Sequence, residues 1–205
     1  ACNKEQKLPT PEKPFNDFSV FDELHHGQKR RTDETRYTVV NRYEIPGREH
    51  PLFRKIQCNH CQEPACLTSC FVNAYTKTPE GAVIYDPDVC VGCRTCMVAC
   101  PFYIPTFRYS SAFHPRIMKC VFCYDTRLRK GLPPACVEAC PMRAMCFGDL
   151  NNPAHAAHKL AKSPLAFRLL ESIGTRPQIY YLSRRGWVRG LGERLRTIID
   201  GKKQP

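Results

Sequence analysis

The stretch CVGCRTCMVACPF, residues 90–102, sets Cys90, Cys93 and Cys96 at a strict spacing of three, with Cys100 four residues on and Pro101 after it. Two further blocks repeat the device: CNHCQEPACLTSC supplies Cys58, Cys61, Cys66 and Cys70, and CVFCYDTRLRKGLPPACVEACP supplies Cys120, Cys123, Cys136 and Cys140 before Pro141. Nineteen residues separate Cys70 from Cys90 and nineteen separate Cys100 from Cys120, which reads as duplication of a small unit. Each unit is expected to follow one grammar. A β-branched stretch such as Ala82-Val83-Ile84-Tyr85 leads into a loop bearing the triplet, and a short helix then ends near the fourth cysteine, where proline stops it.

With Cys2 and Cys146 the chain holds 14 cysteines, too many to explain by packing. Disulfides among Cys90, Cys93 and Cys96 would demand strained rings, because bridged Cα atoms must stand about 4.4 to 6.8 Å apart in one orientation. Zinc uses four ligands, usually as two separated pairs. The third block passes for that in isolation, but the second has a cysteine to spare. A cubane takes three thiolates from one curled loop and its fourth from elsewhere, and CxxCxxCxxxCP is the [4Fe–4S] spacing whose last cysteine serves the neighbouring cluster.

Crossed pairing then gives a first set of Cys58, Cys61, Cys66 and Cys100, and a second of Cys90, Cys93, Cys96 and Cys70. Full thiolate ligation leaves no iron open to substrate, so these clusters are expected to move electrons. A third set of Cys120, Cys123 and Cys136 is expected to be closed by Cys2, leaving Cys140 for a fourth cluster. On this reading the native chain continues N-terminally with a CxxCxxC triplet, which intact-mass measurement of the natural protein tests.

The stretches QCNHCQEPAC, DPDVCVGCRTCMVACPF, KCVFCYDTRLRKGLPPACVEACP and GTRPQIYYL, with ACNKEQ, span most of residues 1–182. They resemble the four-cluster, ferredoxin-like electron-transfer (beta) subunits of membrane-associated respiratory oxidoreductases of the formate dehydrogenase, dimethyl sulfoxide reductase, polysulfide reductase and quinone-linked nickel–iron hydrogenase type. Two departures stand out: only Cys2 remains of the first block, and Phe71 replaces the proline that commonly follows such a fourth cysteine.

The resemblance implies an α+β, ferredoxin-like fold with two pseudo-twofold-related units, insertions and a basic C-terminal tail. The expected division is residues 1–57 (a partial first cluster segment and an insertion), 58–119 (a unit with two clusters), 120–150 (a segment pairing with the N-terminus) and 151–205 (a basic extension). It further implies a non-catalytic relay with three [4Fe–4S] clusters, or four with a complete N-terminus. The relay would run between a catalytic subunit of molybdopterin or hydrogenase type and an integral membrane quinone or cytochrome subunit, peripheral to the membrane and on its outer, periplasmic face. A self-contained catalytic iron–sulfur enzyme and a zinc-stabilised interaction module are the alternatives.

Formal charge is +12, from 31 Lys and Arg against 19 Asp and Glu, before thiolates and clusters lower it. Residues 176–205 hold eight Lys or Arg against Glu193 and Asp200, but no nucleic-acid-binding module accompanies them, so no nucleic-acid partner is expected. Val188, Leu191, Leu195 and Ile198 form an apolar stripe suited to a helix that packs, docks on a partner or lies on a membrane surface, although Gly190 and Gly192 weaken it. No apolar stretch reaches the roughly 20 residues of a membrane-spanning helix.

Among smaller features, residues 3–14 read as a surface connector and 36–45 as a strand, half of a hairpin inserted before the first block. His60 and the histidines outside the blocks, His25, His26, His155 and His158, are expected in surface or supporting roles. Cys146 is expected to be a buried free thiol. Phe102, Tyr103, Phe107, Phe122 and Tyr124 are expected in the core, shielding sulfur from water.

Overall fold

Helix starts recur at one place in every block. Pro64 and Pro134, with φ preset and no N–H to leave unpaired, precede helices Ala65–Thr68 and Ala135–Glu138. In the middle block Arg94, left-handed at φ 66°, takes that place before helix Thr95–Ala99. Each helix carries the third cysteine of its block at its second position. Three residues past the fourth cysteine the backbone turns left-handed at Asn73, Tyr103 and Arg143, whose amides donate to the carbonyls of Cys70, Cys100 and Cys140 at 3.0, 3.0 and 3.1 Å. The duplication seen in the cysteine spacing is thus also a duplication of backbone conformation.

The structure, a computed structural model, describes residues 1–10, 30–44, 49–110 and 115–182. Residues 1–145 with 170–178 form one unit; 146–169 with 179–182 belong to the other. In the first unit, Val39–Tyr43 pairs antiparallel with Leu52–Ile56, Val39 opposite Ile56, which is the hairpin expected before the first block. Two three-residue ladders follow, Tyr75–Lys77 with Val83–Tyr85 and Thr106–Arg108 with Arg116–Met118. The second unit holds helix Ala156–Ala161 and the short pair Ala166–Phe167 with Tyr181–Leu182. The fold is α+β, built from short helices and two-stranded antiparallel sheets. The proposed amphipathic stripe of residues 188–198 lies outside the described residues, as do His25 and His26.

Sulfur occupies the core of the first unit. One apolar cluster centres on Tyr75, Val83, Cys96, Phe107 and Ile117, flanked by Cys66, Cys70 and Cys90; a second joins Cys58, Cys100 and Ile104, with Cys120 against it. Helices of four or five residues do not hold alone in water, nor do isolated two-stranded ladders. Packing around the cysteines is what joins them.

Three expectations are corrected. Cys2–Glu5 is a helical turn with Leu8 buried behind it, since no proline follows Cys2 to stop the helix there; residues 11–14 of the expected connector lie outside the described residues. Cys146 is exposed, because residues 144–149 form no element that covers it. Tyr103 is exposed as well, its ring 5.2 Å from the Arg31 guanidinium rather than in the core, whereas Phe107 is buried.

Candidate metal centres

The first block meets the closing cysteine of the second. Cys58, Cys61, Cys66 and Cys100 line one cavity of about 380 Å³, counting the open space at its mouth, together with Val83, Ile104 and Lys119. A positive φ of 43° at His60 curls the loop between Cys58 and Cys61. Burial pushes the Cys66 thiol up to about 12 and Cys61 to about 11, and the proximity of Cys58 and Cys100 adds to both.

Cys90, Cys93, Cys96 and Cys70 form the second group. Burial raises the Cys96 thiol, and its neighbours Cys90, Cys93 and Cys70 raise it further. Gly92 turns this loop at φ +70°, and a Cβ there would lie 2.8 Å from Pro115 Cγ, so the position needs glycine. The Ala74 amide donates to Cys70 Sγ at 3.3 Å. Cys93 alone of the set is exposed, and its thiol is held below the usual range by Thr95, whose Oγ1 stands 3.4 Å away.

Cys2 lies with Cys123 and Cys136: burial pushes it up to about 11, the two thiols add to this, and Lys55 opposes it. The Lys55 ammonium donates to Cys136 Sγ at 3.5 Å. Cys120 turns its thiol towards Cys58 of the first set, where burial pushes it to about 12, and it shares the Tyr37 phenol with Cys2. Cys140 lies two residues past helix Ala135–Glu138 and is half-buried.

Two contacts link neighbouring groups. Tyr75 stands between the second and first, its hydroxyl facing Cys96 with Cys66 and Cys58 further off, while Cys58 and Cys120 join the first to the third. Around them sit buried polar atoms: His60 Nε2 meets no protein partner, while the Tyr75 and Thr175 hydroxyls face the sulfurs of Cys96 and Cys61. The segment bearing Thr175 is tied to the first block, Glu63 and Gln62 donating to the Thr175 and Arg176 carbonyls at 3.1 and 2.9 Å. Buried donors without acceptors are costly, and sulfur of a ligated cluster is an acceptor they can use.

His60 is wholly buried rather than at the surface. Its Nδ1 accepts the Val83 amide at 2.9 Å, and burial, then Lys119, Lys77 and Lys55, hold the ring well below its usual pKa and therefore neutral. In the second unit His155 Nδ1 accepts the Asp149 amide at 2.9 Å, and His158 Nδ1 donates to the Leu150 carbonyl at 2.6 Å, which are structural roles. The three lysines, Tyr75 and Thr175 carried no signal in the sequence; each is an ordinary residue until the fold brings it to sulfur.

All 14 cysteines are free, and among the described residues no three His, Cys, Asp or Glu side chains converge closely enough for a single ion. A zinc site needs four ligands at about 2.0 to 2.3 Å from one point. Thiols that line a cavity suit a larger body with several corners.

Residues 50–150 match a family described as a 4Fe-4S dicluster domain. The sequence is 39% identical to the iron-sulfur cluster-binding subunit of menaquinone reductase from Nitratidesulfovibrio vulgaris, over 66% of this chain and 67% of that one. It is 35% identical to the B subunit of polysulfide reductase from Wolinella succinogenes, over 66% and 70%. This polypeptide belongs to the family of iron–sulfur electron-transfer subunits of respiratory oxidoreductases. Another relative, a protein of Nitratidesulfovibrio vulgaris, is 52% identical over 158 residues, and the chain spans 41% of its length. Clusters of this family are [4Fe–4S], and the thiol-lined cavity with its unmatched donors fits them.

Proposed function

We propose that the chain is a non-catalytic relay holding three [4Fe–4S] clusters in series. Cys90, Cys93, Cys96 and Cys70 hold one at the exposed end; Cys58, Cys61, Cys66 and Cys100 hold the middle one; Cys120, Cys123, Cys136 and Cys2 hold the third. Cys140 is then a ligand of a fourth cluster whose other thiolates are not among these cysteines. The two helix pairs that share clusters, Ala65–Thr68 with Thr95–Ala99 and Cys2–Glu5 with Ala135–Glu138, are the cores of two pseudo-twofold-related ferredoxin units. Their matching proline starts and left-handed turns support this.

One observation carries the reading: Tyr75 faces both Cys96 and Cys66, and Cys120 packs against Cys58, which supports neighbouring clusters between which charge can hop. Bound clusters supply one-electron chemistry. The chain's residues ligate them, exclude water with Val83, Ile104 and Phe107, and present Cys93 at the surface beside Val91 and Val98, exposed at 61% and 84%. That end is suited to a redox partner.

The partners we propose are a catalytic subunit of molybdopterin or hydrogenase type and an integral membrane quinone or cytochrome subunit. Relatives named as the iron-sulfur subunit of menaquinone reductase and as the B subunit of polysulfide reductase support this. Among the described residues no helix is long and apolar enough to cross a membrane, so this part would be peripheral, and we place it on the periplasmic face. Anaerobic purification followed by iron analysis and electron paramagnetic resonance tests the core of the reading. About twelve irons per chain and cubane signals on reduction are expected for three clusters; a colourless, iron-free protein overturns it. Copurification and identification of bound subunits tests the partners.

A further inference from the structure

Two ammonium groups stand beside the first thiol set, and one of them also faces the third. Lys119 is 1% exposed; its Nζ donates to the Val83 carbonyl and, at 3.0 Å, to that of Cys120, and lies 6.0 Å from the centroid of the Tyr75 ring. Lys77 Nζ donates to the carbonyls of His60, Cys61 and Gly81 at 2.8, 3.0 and 2.9 Å. Among the described residues neither meets a carboxylate. Instead Lys119 faces Cys66 and Cys120, and Lys77 faces Cys61 and Cys58.

An ammonium buried without an anion is expensive, and carbonyl dipoles only soften the cost. The anion missing from this interior is the cluster itself, because a cubane with four thiolates is net negative. Reduction adds one electron to that charge, so a fixed cation beside the cluster stabilises the reduced form more than the oxidised one. Net charge and hydrogen bonding around the sulfurs are the levers by which a protein sets cluster potential.

We propose that Lys119 and Lys77 are the counter-cations of the relay, Lys119 shared by the first and third clusters and Lys77 serving the first, and that they hold these potentials above the value set by cysteine ligation alone. This rests on the cluster assignment above. The second set, faced by neither ammonium, is the internal reference, its wave identified as the one lost in Cys96→Ser.

The test is a potentiometric titration of the anaerobically purified holoprotein, followed by electron paramagnetic resonance, for the unaltered chain and for Lys119→Gln. Glutamine keeps donors for the two carbonyls but removes the charge. Expected is at least a tenfold weakening of reduction, about 59 mV downward for one electron, at the first and third clusters with the second unmoved. Unmoved waves at full iron content, or an equal shift of all three, overturn the proposal. If Lys119→Gln does not assemble, Lys77→Gln, at a half-exposed side chain, decides: a drop confined to the first cluster supports the proposal and no drop overturns it. An iron-free unaltered protein would instead sink the cluster assignment.

Discussion

The His60 ring stacks on the Phe122 ring with centroids 4.5 Å apart and planes inclined by 21°. A residue lodged between two cysteines of the first block is therefore clamped by one lodged between two cysteines of the third. Both sit at positive φ, 43° and 61°, where a loop bends tightly enough to direct neighbouring thiols inward. The contact fixes one cluster loop against another.

Replacing His60 by Ala removes that stack and leaves the Val83 amide without its acceptor. Stability should fall by about 2 to 4 kcal/mol, from a cavity plus an unmade buried hydrogen bond. Denaturant midpoints of the holoprotein and the rate of cluster loss measure it; an unchanged midpoint would show that the clamp is idle.

Cys100→Ser should cost the middle cluster alone, lowering iron from about twelve to about eight per chain. Cys146→Ser, at an exposed thiol outside the sets, should leave iron content unchanged. Equal losses in both variants would contradict the ligand assignment.

Cluster assembly should strengthen as pH rises. Burial lifts the free thiols of Cys66 and Cys120 from 9.0 to about 12, so they are protonated at neutral pH and must release protons on ligation. Each such proton makes assembly more favourable by about 1.4 kcal/mol per pH unit, up to the raised pKa. Iron uptake by the apoprotein at about pH 7 and about pH 8.5 checks the sign: uptake no tighter at the higher pH would contradict it.

Stripping iron with a chelator should abolish cooperative unfolding in the first unit. Its helices are four or five residues long and its ladders between blocks three, so little but sulfur joins them. Loss of the near-ultraviolet circular dichroism on chelation is the expected signature; a sharp melting transition that survives iron removal would contradict it.

Cysteine spacing makes the blocks and their short helices legible, because the spacing of thiols along a loop is a local property. The hairpin before the first block is legible from the β-branched run around Val39 and Val40. The setting of the clusters is not. Lys119 precedes Cys120 as an ordinary basic residue, and nothing local says that its ammonium reaches the Val83 carbonyl, 36 residues upstream. Thr175 likewise is brought to the first block by long-range backbone bonds. Cys146 runs against expectation because cysteine usually buries itself, and here no element folds over it.

Cys93 has one more consequence. As a ligand of the proposed outer cluster, open to solvent and with its thiol biased towards the thiolate by Thr95, it is where dissolved oxygen first reaches cluster sulfur. Damage in air should start at that terminus and proceed inward, so a sample aged on the bench loses its outermost cubane while the middle one keeps its spectrum.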